Sequence, residues 1–300
     1  MENSKGKEHF VIGDKDIVTV TKMNHITEIQ YMQRRNTRQS IQKLSSEEYV
    51  VLDTGEVKLF EKAENRSEGK ISLYKTFKKL RYLINNNFIG SKNELFVTLT
   101  FAPNDLGWRP TVGDTDYLAK AFKVYLQRLK RCYGSVDFIR VLEPHEDGHA
   151  HYHVLLKFID KDSVFIKNSD MAKLWSKGFV KIHSLKDVDN IGAYVSAYLT
   201  DVEFNEQAAI KSMLAGENVE VIEKDGKKYI KGGRVKYYPT GKQIYNKSKG
   251  ILEPERTTMY YSKAKKIVGS AKPTFEKNIV IETDDFSNVL RFESYNSKRV

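Results

Sequence analysis

The chain of 300 residues is basic, with 50 Lys and Arg against 39 Asp and Glu and a formal net charge of +11. This surplus favours a polyanionic partner, most often nucleic acid, over a solvated basic surface without a specific partner. The 40% hydrophobic content allows a sizeable core, and the single cysteine excludes a disulfide framework and fits a reducing cytoplasm.

We expect no membrane segment and no secretory signal. No apolar run approaches the roughly 20 residues of a membrane span, and no apolar segment follows the N-terminal residues. The predicted location is therefore cytoplasmic.

The first 68 residues give weak core signals. Residues 23–44 are predicted to form a basic helix, and residues 48–60 a short hairpin that turns at Thr54-Gly55. We therefore interpret residues 1–68 as a polar and basic N-terminal extension.

Two amphipathic helices and a strand follow. Residues 71–87 and 114–133 place apolar side chains at spacings of three and four, which predicts helices. Between them, residues 95–101 alternate apolar side chains with threonines, which predicts a strand.

The next segments complete an α+β pattern. Residues 136–143 and 149–158 are predicted strands, and their short connection favours an antiparallel hairpin. A short helix at 170–176, a strand at 179–183 and a helix at 189–202 come next, with Asp189 or Asn190 as the helix cap. We expect an antiparallel sheet with helices on one face and the other face open to a ligand.

Three histidines fall within five residues of the strand 149–158. His151 and His153 point to the same face, about 6.5–7 Å apart along the strand. Two imidazoles at this spacing can bind one cation if a third ligand joins them, and Glu143 or His149 could supply it. Such mixed ligands accept Mg²⁺, Mn²⁺ or Zn²⁺. The alternative is a set of surface histidines on a half-exposed strand.

Two tyrosines form a second candidate group. Tyr194 and Tyr198 are four residues apart in a predicted helix and therefore lie on one side of it. A tyrosine oxygen can attack a phosphodiester and form a phosphotyrosine, which keeps the bond energy for rejoining. Alternatively, both tyrosines pack at the edge of the apolar stripe of Ile191, Val195 and Val202.

Cations alternate with aromatic residues beyond residue 215. Residues 234–239 and 243–250 have a composition typical of surfaces that bind unpaired bases and phosphates, although a basic loop-rich tail would have it too. We interpret residues 216–300 as a basic C-terminal extension. The predicted DNA-contacting residues are Lys181, Arg234, Lys236, Lys242 and Lys247.

Together these motifs resemble the HUH endonucleases, and among them the rolling-circle replication initiators of plasmids and phages. The resemblance is carried, in the family's order, by Phe96-Val-Thr-Leu-Thr-Phe101, by His151-Tyr152-His153, and by the two tyrosines. These motifs span roughly a third of the chain.

The resemblance implies a five-stranded antiparallel sheet with flanking helices, and a catalytic domain over residues 69–215. It also implies site-specific nicking of single-stranded origin DNA, with Mg²⁺ or Mn²⁺ held by His151, His153 and a polar third ligand. The tyrosine would be joined to the 5′-phosphate, leaving a 3′-OH for a host DNA polymerase. A host helicase would be a further partner, because the sequence has no Gly-x-x-x-x-Gly-Lys-Ser/Thr loop.

The sequence departs from the family's pattern in one respect. The family often has a lysine three residues after the tyrosine, and this chain has Ala197 and Asp201 there. Lys181 or Lys186 could replace that charge.

The departure leaves open which tyrosine acts first. Tyr198 matches the usual single tyrosine slightly better, and Tyr194 could act in a second transfer. A relaxase or transposase of the same chemistry is one alternative, although the histidines precede the tyrosines, which argues against a relaxase. The other is a DNA-binding protein without catalysis, such as an origin-binding or regulatory factor.

Overall fold

In the computed structural model the described residues are 10–35, 40–45, 47–60, 70–145, 147–200, 202–203, 221–224, 227–230, 243–283 and 286–299. The chain divides into two compact units. One consists of Met1–Ala63 with Pro254–Val300, and the other is Glu64–Glu253. The domain assignment 1–68, 69–215 and 216–300 stays a prediction.

The fold is α+β, as the sequence predicts. The strands in chain order are β1 (Ile17–Met23), β2 (Ile26–Met32), β3 (Ile41–Lys43), β4 (Glu48–Val51), β5 (Val57–Leu59), β6 (Glu94–Thr100), β7 (Val136–Pro144), β8 (Ala150–Phe158), β9 (Val180–His183), β10 (Val202–Glu203), β11 (Val221–Lys224), β12 (Lys227–Ile230), β13 (Tyr245–Lys247), β14 (Glu255–Tyr260), β15 (Phe275–Thr283) and β16 (Phe286–Asn296). The helices are α1 (Lys70–Asn87), α2 (Thr115–Tyr133), α3 (Asn168–Trp175), α4 (Ile191–Thr200) and α5 (Tyr261–Val268). None of these helices is long and apolar enough to span a membrane.

The unit Glu64–Glu253 contains the central sheet, a five-stranded antiparallel sheet in the order β13-β7-β8-β6-β9. β8, which carries His151 and His153, is its middle strand, because β7 and β6 pair with its two edges. The predicted β7–β8 hairpin is confirmed. The edge strand β13 comes from the segment beyond residue 215.

Helices cover both faces of the central sheet. On one face Tyr152 and Leu156 pack in a core with α2 and α3. On the other, Leu155, Phe96 and Ile139 pack with α1 and α4. The prediction of helices on one face only is therefore wrong. The histidine-bearing face is apolar at one end, and this end buries the stripes of α1 and α4.

The unit formed by both ends of the chain has its own five-stranded antiparallel sheet, in the order β14-β1-β2-β16-β15. Residues 26–32 form β2 in this sheet, so the predicted basic helix over 23–44 is wrong. The reason lies in the tertiary packing, because Ile29 and Tyr31 join a core with Val18, Val20 and Ala264. The predicted hairpin at 48–60 is confirmed as β4–β5.

Candidate functional site

The histidine face, defined as the face of the central sheet that carries His151 and His153, is ordered in three rows of cross-strand neighbours. Directly opposite residues in antiparallel strands point to the same face. One end of the face is therefore polar, and the other is apolar beneath α1 and α4. From the polar end, the rows are Glu143–His151–Thr100, Val141–His153–Thr98–Lys181 and Ile139–Leu155–Phe96–His183.

A carboxylate and an imidazole meet at the centre of this face. The Oε2 atom of Glu143 contacts Nε2 of His153, and the two residues are only 4% and 6% exposed. Two ionisable groups tolerate such burial only when they are paired. Glu143, one of the two predicted third ligands, is thus beside His153.

Thr98 holds the other nitrogen of the same imidazole. Its Oγ1 lies 3.2 Å from Nδ1 of His153, and the Phe96 ring stacks on the imidazole with 5.6 Å between centroids. The threonine hydroxyl can donate or accept, so it can serve either tautomer. The sequence placed Thr98 on this face but gave no sign of its role.

His151 lies directly opposite Glu143 in the β7–β8 pair. Its ring packs against His145, with 5.3 Å between centroids and 38° between planes. The structure therefore places His151 on the predicted face, next to the Glu143–His153 pair along the sheet.

His149 belongs to a different group of side chains. Its Nδ1 is 2.9 Å from Oδ2 of Asp147, which also lies near His145 at 3.4 Å and Arg109 at 3.3 Å. Partial burial raises the pKa of Asp147, but hydrogen bonds from His149 and the nearby imidazoles lower it further, to about 2. The printed contacts of His149 are thus with the loop before β8.

The Glu143–His153 pair fits two places in a divalent cation site. One imidazole nitrogen and one carboxylate oxygen, buried and converging, are a mixed donor set of the kind that Mn²⁺ and Mg²⁺ accept. Within the described residues, no group of three or more His, Cys, Asp or Glu side chains is gathered closely enough to hold a metal ion. A third donor would have to turn towards the pair, and His151 stands opposite Glu143.

Helix α4 is anchored by side-chain hydrogen bonds at its start. The Ala193 N–H donates to Oδ1 of Asn190 at 3.0 Å, which confirms Asn190 as the cap. Asn85 of α1 accepts the Gly192 N–H at 2.7 Å and donates to Asn190 at 3.1 Å. A Cβ at Gly192 would lie 2.6 Å from the Arg81 carbonyl oxygen, so only glycine allows α4 to lie this close to α1.

This anchoring brings Tyr194 to the apolar end of the histidine face. Its ring meets Phe96 edge-on, with 6.2 Å between centroids and 75° between planes. Phe96 thus contacts both Tyr194 and His153. Tyr198 lies four residues further along α4, and its side chain lies outside the described residues.

His183 is a member of this site that the sequence analysis missed. It is opposite Phe96 and packs on its ring, with 5.3 Å between centroids. Burial lowers the pKa of His183, and Lys181 and His153 lower it further. Its position two residues after Lys181 on a predicted strand was the available signal, because both then share a face.

The predicted DNA-contacting lysines differ in their surroundings. Lys181 is exposed on the histidine face, opposite Thr98. Lys247 donates to the Ile251 carbonyl oxygen at 2.6 Å and lies 3.4 Å from Glu253, so its charge is engaged within the chain. Arg234, Lys236 and Lys242 lie outside the described residues.

One comparison with known proteins gives a match. Residues 94–203 match a family model of the replication-associated protein ORF2, whereas no curated protein and no solved structure matches the chain. The matched region runs from the first residue of β6 to the last of β10 and includes the whole histidine face except β7's partner β13. Over residues 94–203 the chain is therefore similar to the replication-associated proteins of the ORF2 family, which implies DNA as its partner.

Proposed function

We propose that the chain is a rolling-circle replication initiator of the HUH type, which nicks and rejoins single-stranded origin DNA through a tyrosine. The observation that carries the proposal is the meeting of three groups on one sheet face. The buried Glu143–His153 pair and Tyr194 lie around the Phe96 ring, within the region that is similar to replication-associated proteins.

The proposed metal ligands are His153, Glu143 and His151. A bound Mg²⁺ or Mn²⁺ would supply positive charge at a non-bridging oxygen of the scissile phosphate. The chain's own contribution is to fix the ligands, because Thr98 and Phe96 hold the His153 ring from its Nδ1 side and its flat side.

The proposed nucleophile is the hydroxyl of Tyr194 or Tyr198. Its oxygen bonds to phosphorus while the bond from phosphorus to the 3′ oxygen breaks, and the tyrosine gives up its proton as the 3′ oxygen gains one. The product is a 5′-phosphotyrosine with a free 3′-OH, and the reverse step rejoins the strand without an added energy source. A host polymerase and a host helicase would extend and unwind the DNA.

Lys181 is proposed to supply the positive charge that the resembled family often places after its tyrosine. It is exposed and lies opposite Thr98, two strands from His153 on the same face. At a strand spacing of about 4.8 Å its backbone is roughly 10 Å from that of His153, within reach of a long side chain.

An adduct assay tests the proposal. The full chain is incubated with labelled single-stranded oligonucleotides that tile the DNA flanking its gene, in Mn²⁺ with and without EDTA. We expect a denaturation-resistant adduct that EDTA abolishes and that is lost in His153→Ala and in the double variant Tyr194→Phe/Tyr198→Phe. The matched control is Tyr133→Phe, since Tyr133 packs on Phe158 on the opposite face.

The contrary result is equally clear. Tight binding of one oligonucleotide without an adduct in Mn²⁺ or Mg²⁺ would refute the nicking activity. It would favour the alternative of an origin-binding protein without catalysis.

A further inference from the structure

A groove between α2 and α3 lies on the side of the central sheet opposite the histidine face. It has a volume of about 300 Å³. Its lining is amphipathic, with apolar side chains at the bottom and cations around them, and includes Tyr117, Lys120, Val124, Arg128, Trp175 and Lys177.

The charge of this α2–α3 groove is of one sign. Lys120, Arg128 and Lys177 line it, and no carboxylate is among the lining residues in the described part of the chain. The Arg128 guanidinium is held in place, because its Nη1 donates to the Leu174 carbonyl oxygen at 3.2 Å and to the Ser176 hydroxyl at 2.5 Å. An anionic ligand is therefore the complementary one.

Exposed aromatic rings stand beside these cations. Tyr117 is 37% exposed and Trp108 is 44% exposed, and they meet edge to face with 5.2 Å between centroids. The Lys177 ammonium lies 5.9 Å from the centre of the Tyr117 ring. Exposed aromatic faces next to cations are the surface that unpaired nucleotides need, because bases stack and phosphates pair with the charges.

The groove lies at the same end of the sheet as the polar part of the histidine face. The Trp175 indole N–H donates to the Thr100 carbonyl oxygen at 2.9 Å, and Thr100 is the cross-strand neighbour of His151. The loop after Trp175 is fixed against this end as well, because a Cβ at Gly178 would lie 2.3 Å from the same oxygen. A strand of DNA on the histidine face can thus reach the groove around the end of β6.

We propose that the α2–α3 groove is a second binding site for single-stranded DNA, which holds unpaired nucleotides away from the scissile phosphate. Phosphates pair with Lys120, Arg128 and Lys177, and a base stacks on Tyr117 or Trp108. The binding stands on the groove alone, whereas its role beside the cut rests on the proposed function.

The chain carries its own reporter for this site. It has two tryptophans, Trp108 and Trp175, of which Trp175 lines the groove and Trp108 contacts its Tyr117. An oligothymidylate of about 16 nucleotides, long enough for one binding surface, is titrated into the full chain at several salt concentrations without divalent cations. We expect it to change the tryptophan fluorescence.

Two double variants of equal charge separate the groove from general basicity. Lys120→Gln/Lys177→Gln removes two groove cations, and Lys123→Gln/Lys130→Gln removes two exposed cations from other sides of α2. The groove variant should bind more weakly, and its slope of log affinity against log salt should be shallower by about 0.7 for each lost phosphate contact. The control should keep the wild-type slope.

A Tyr117→Ala variant tests the stacking. We expect its affinity to fall roughly fivefold to 150-fold, the range for loss of one stacked base. Equal losses in both lysine variants, or equal binding of a duplex of the same length through the same lysines, would overturn the proposal.

The outcome is separable from that of the nicking proposal. Groove-dependent binding without any adduct would overturn the proposed chemistry and leave the groove site standing. Adduct formation with unaltered binding in the groove variant would overturn the groove site alone.

Discussion

The two faces of the central sheet use the same strand for different purposes. On one face of β8, Tyr152, Leu156 and Phe158 are buried in an apolar core with α2 and α3. On the other, Leu155 joins a core with α1 and α4, but His153 two residues earlier is buried against a carboxylate. The difference teaches that the second face is part core and part site, with the change occurring within one strand.

The largest predicted effect tests whether both faces are truly core. Leu155→Ala and Leu156→Ala should each lower the free energy of unfolding by about 2–5 kcal/mol, because both side chains are buried and leave cavities. Urea unfolding of the full chain, followed by circular dichroism, measures both. If Leu155→Ala stayed within about 0.5 kcal/mol of wild type, as at an exposed site, the packing of α1 and α4 on this face would be contradicted.

A smaller effect tests the polar part of the histidine face. Glu143→Ala should cost about 1–3 kcal/mol, because it leaves the buried His153 ring nitrogen without its partner. Glu143→Gln keeps an acceptor at the same place and should cost less. The same unfolding experiment compares the two variants, and equal losses would show that the pair does not stabilise the folded state in this way.

The smallest effect concerns the helix that presents Tyr194. Asn190→Ala should lower the free energy of unfolding by about 1 kcal/mol, since the Ala193 N–H loses its cap. Asn190→Ser, which can still cap, should lose less. A thermal melt of each variant makes the comparison, and an unchanged alanine variant would argue against the cap.

Local patterns were enough to predict much of the site. The alternation in β8 placed His151 and His153 on one face, and the β7–β8 hairpin placed Glu143 on the same face. Asn190 was predicted as a cap from its place before an apolar helix. These features depend on neighbours in sequence or on one short hairpin.

The features that were missed depend on contacts between distant segments. Asn85 and Gly192 are 107 residues apart, and their hydrogen bond fixes α4 on α1. β2 is a strand because it pairs with β16 at the other end of the chain, which overrides the charge pattern that predicted a helix. His183 joins the site only because β9 pairs with β6.

The most direct test of the account is to locate the bond between protein and DNA. The full chain is reacted with a cleavable oligonucleotide in Mn²⁺, digested, and its nucleotide-bearing peptide identified by mass spectrometry. The account predicts a phosphonucleotide on Tyr194 or Tyr198, and none in the presence of EDTA or in His153→Ala. A nucleotide on a tyrosine of the opposite face, such as Tyr117 or Tyr133, or an adduct that persists in EDTA, would contradict it.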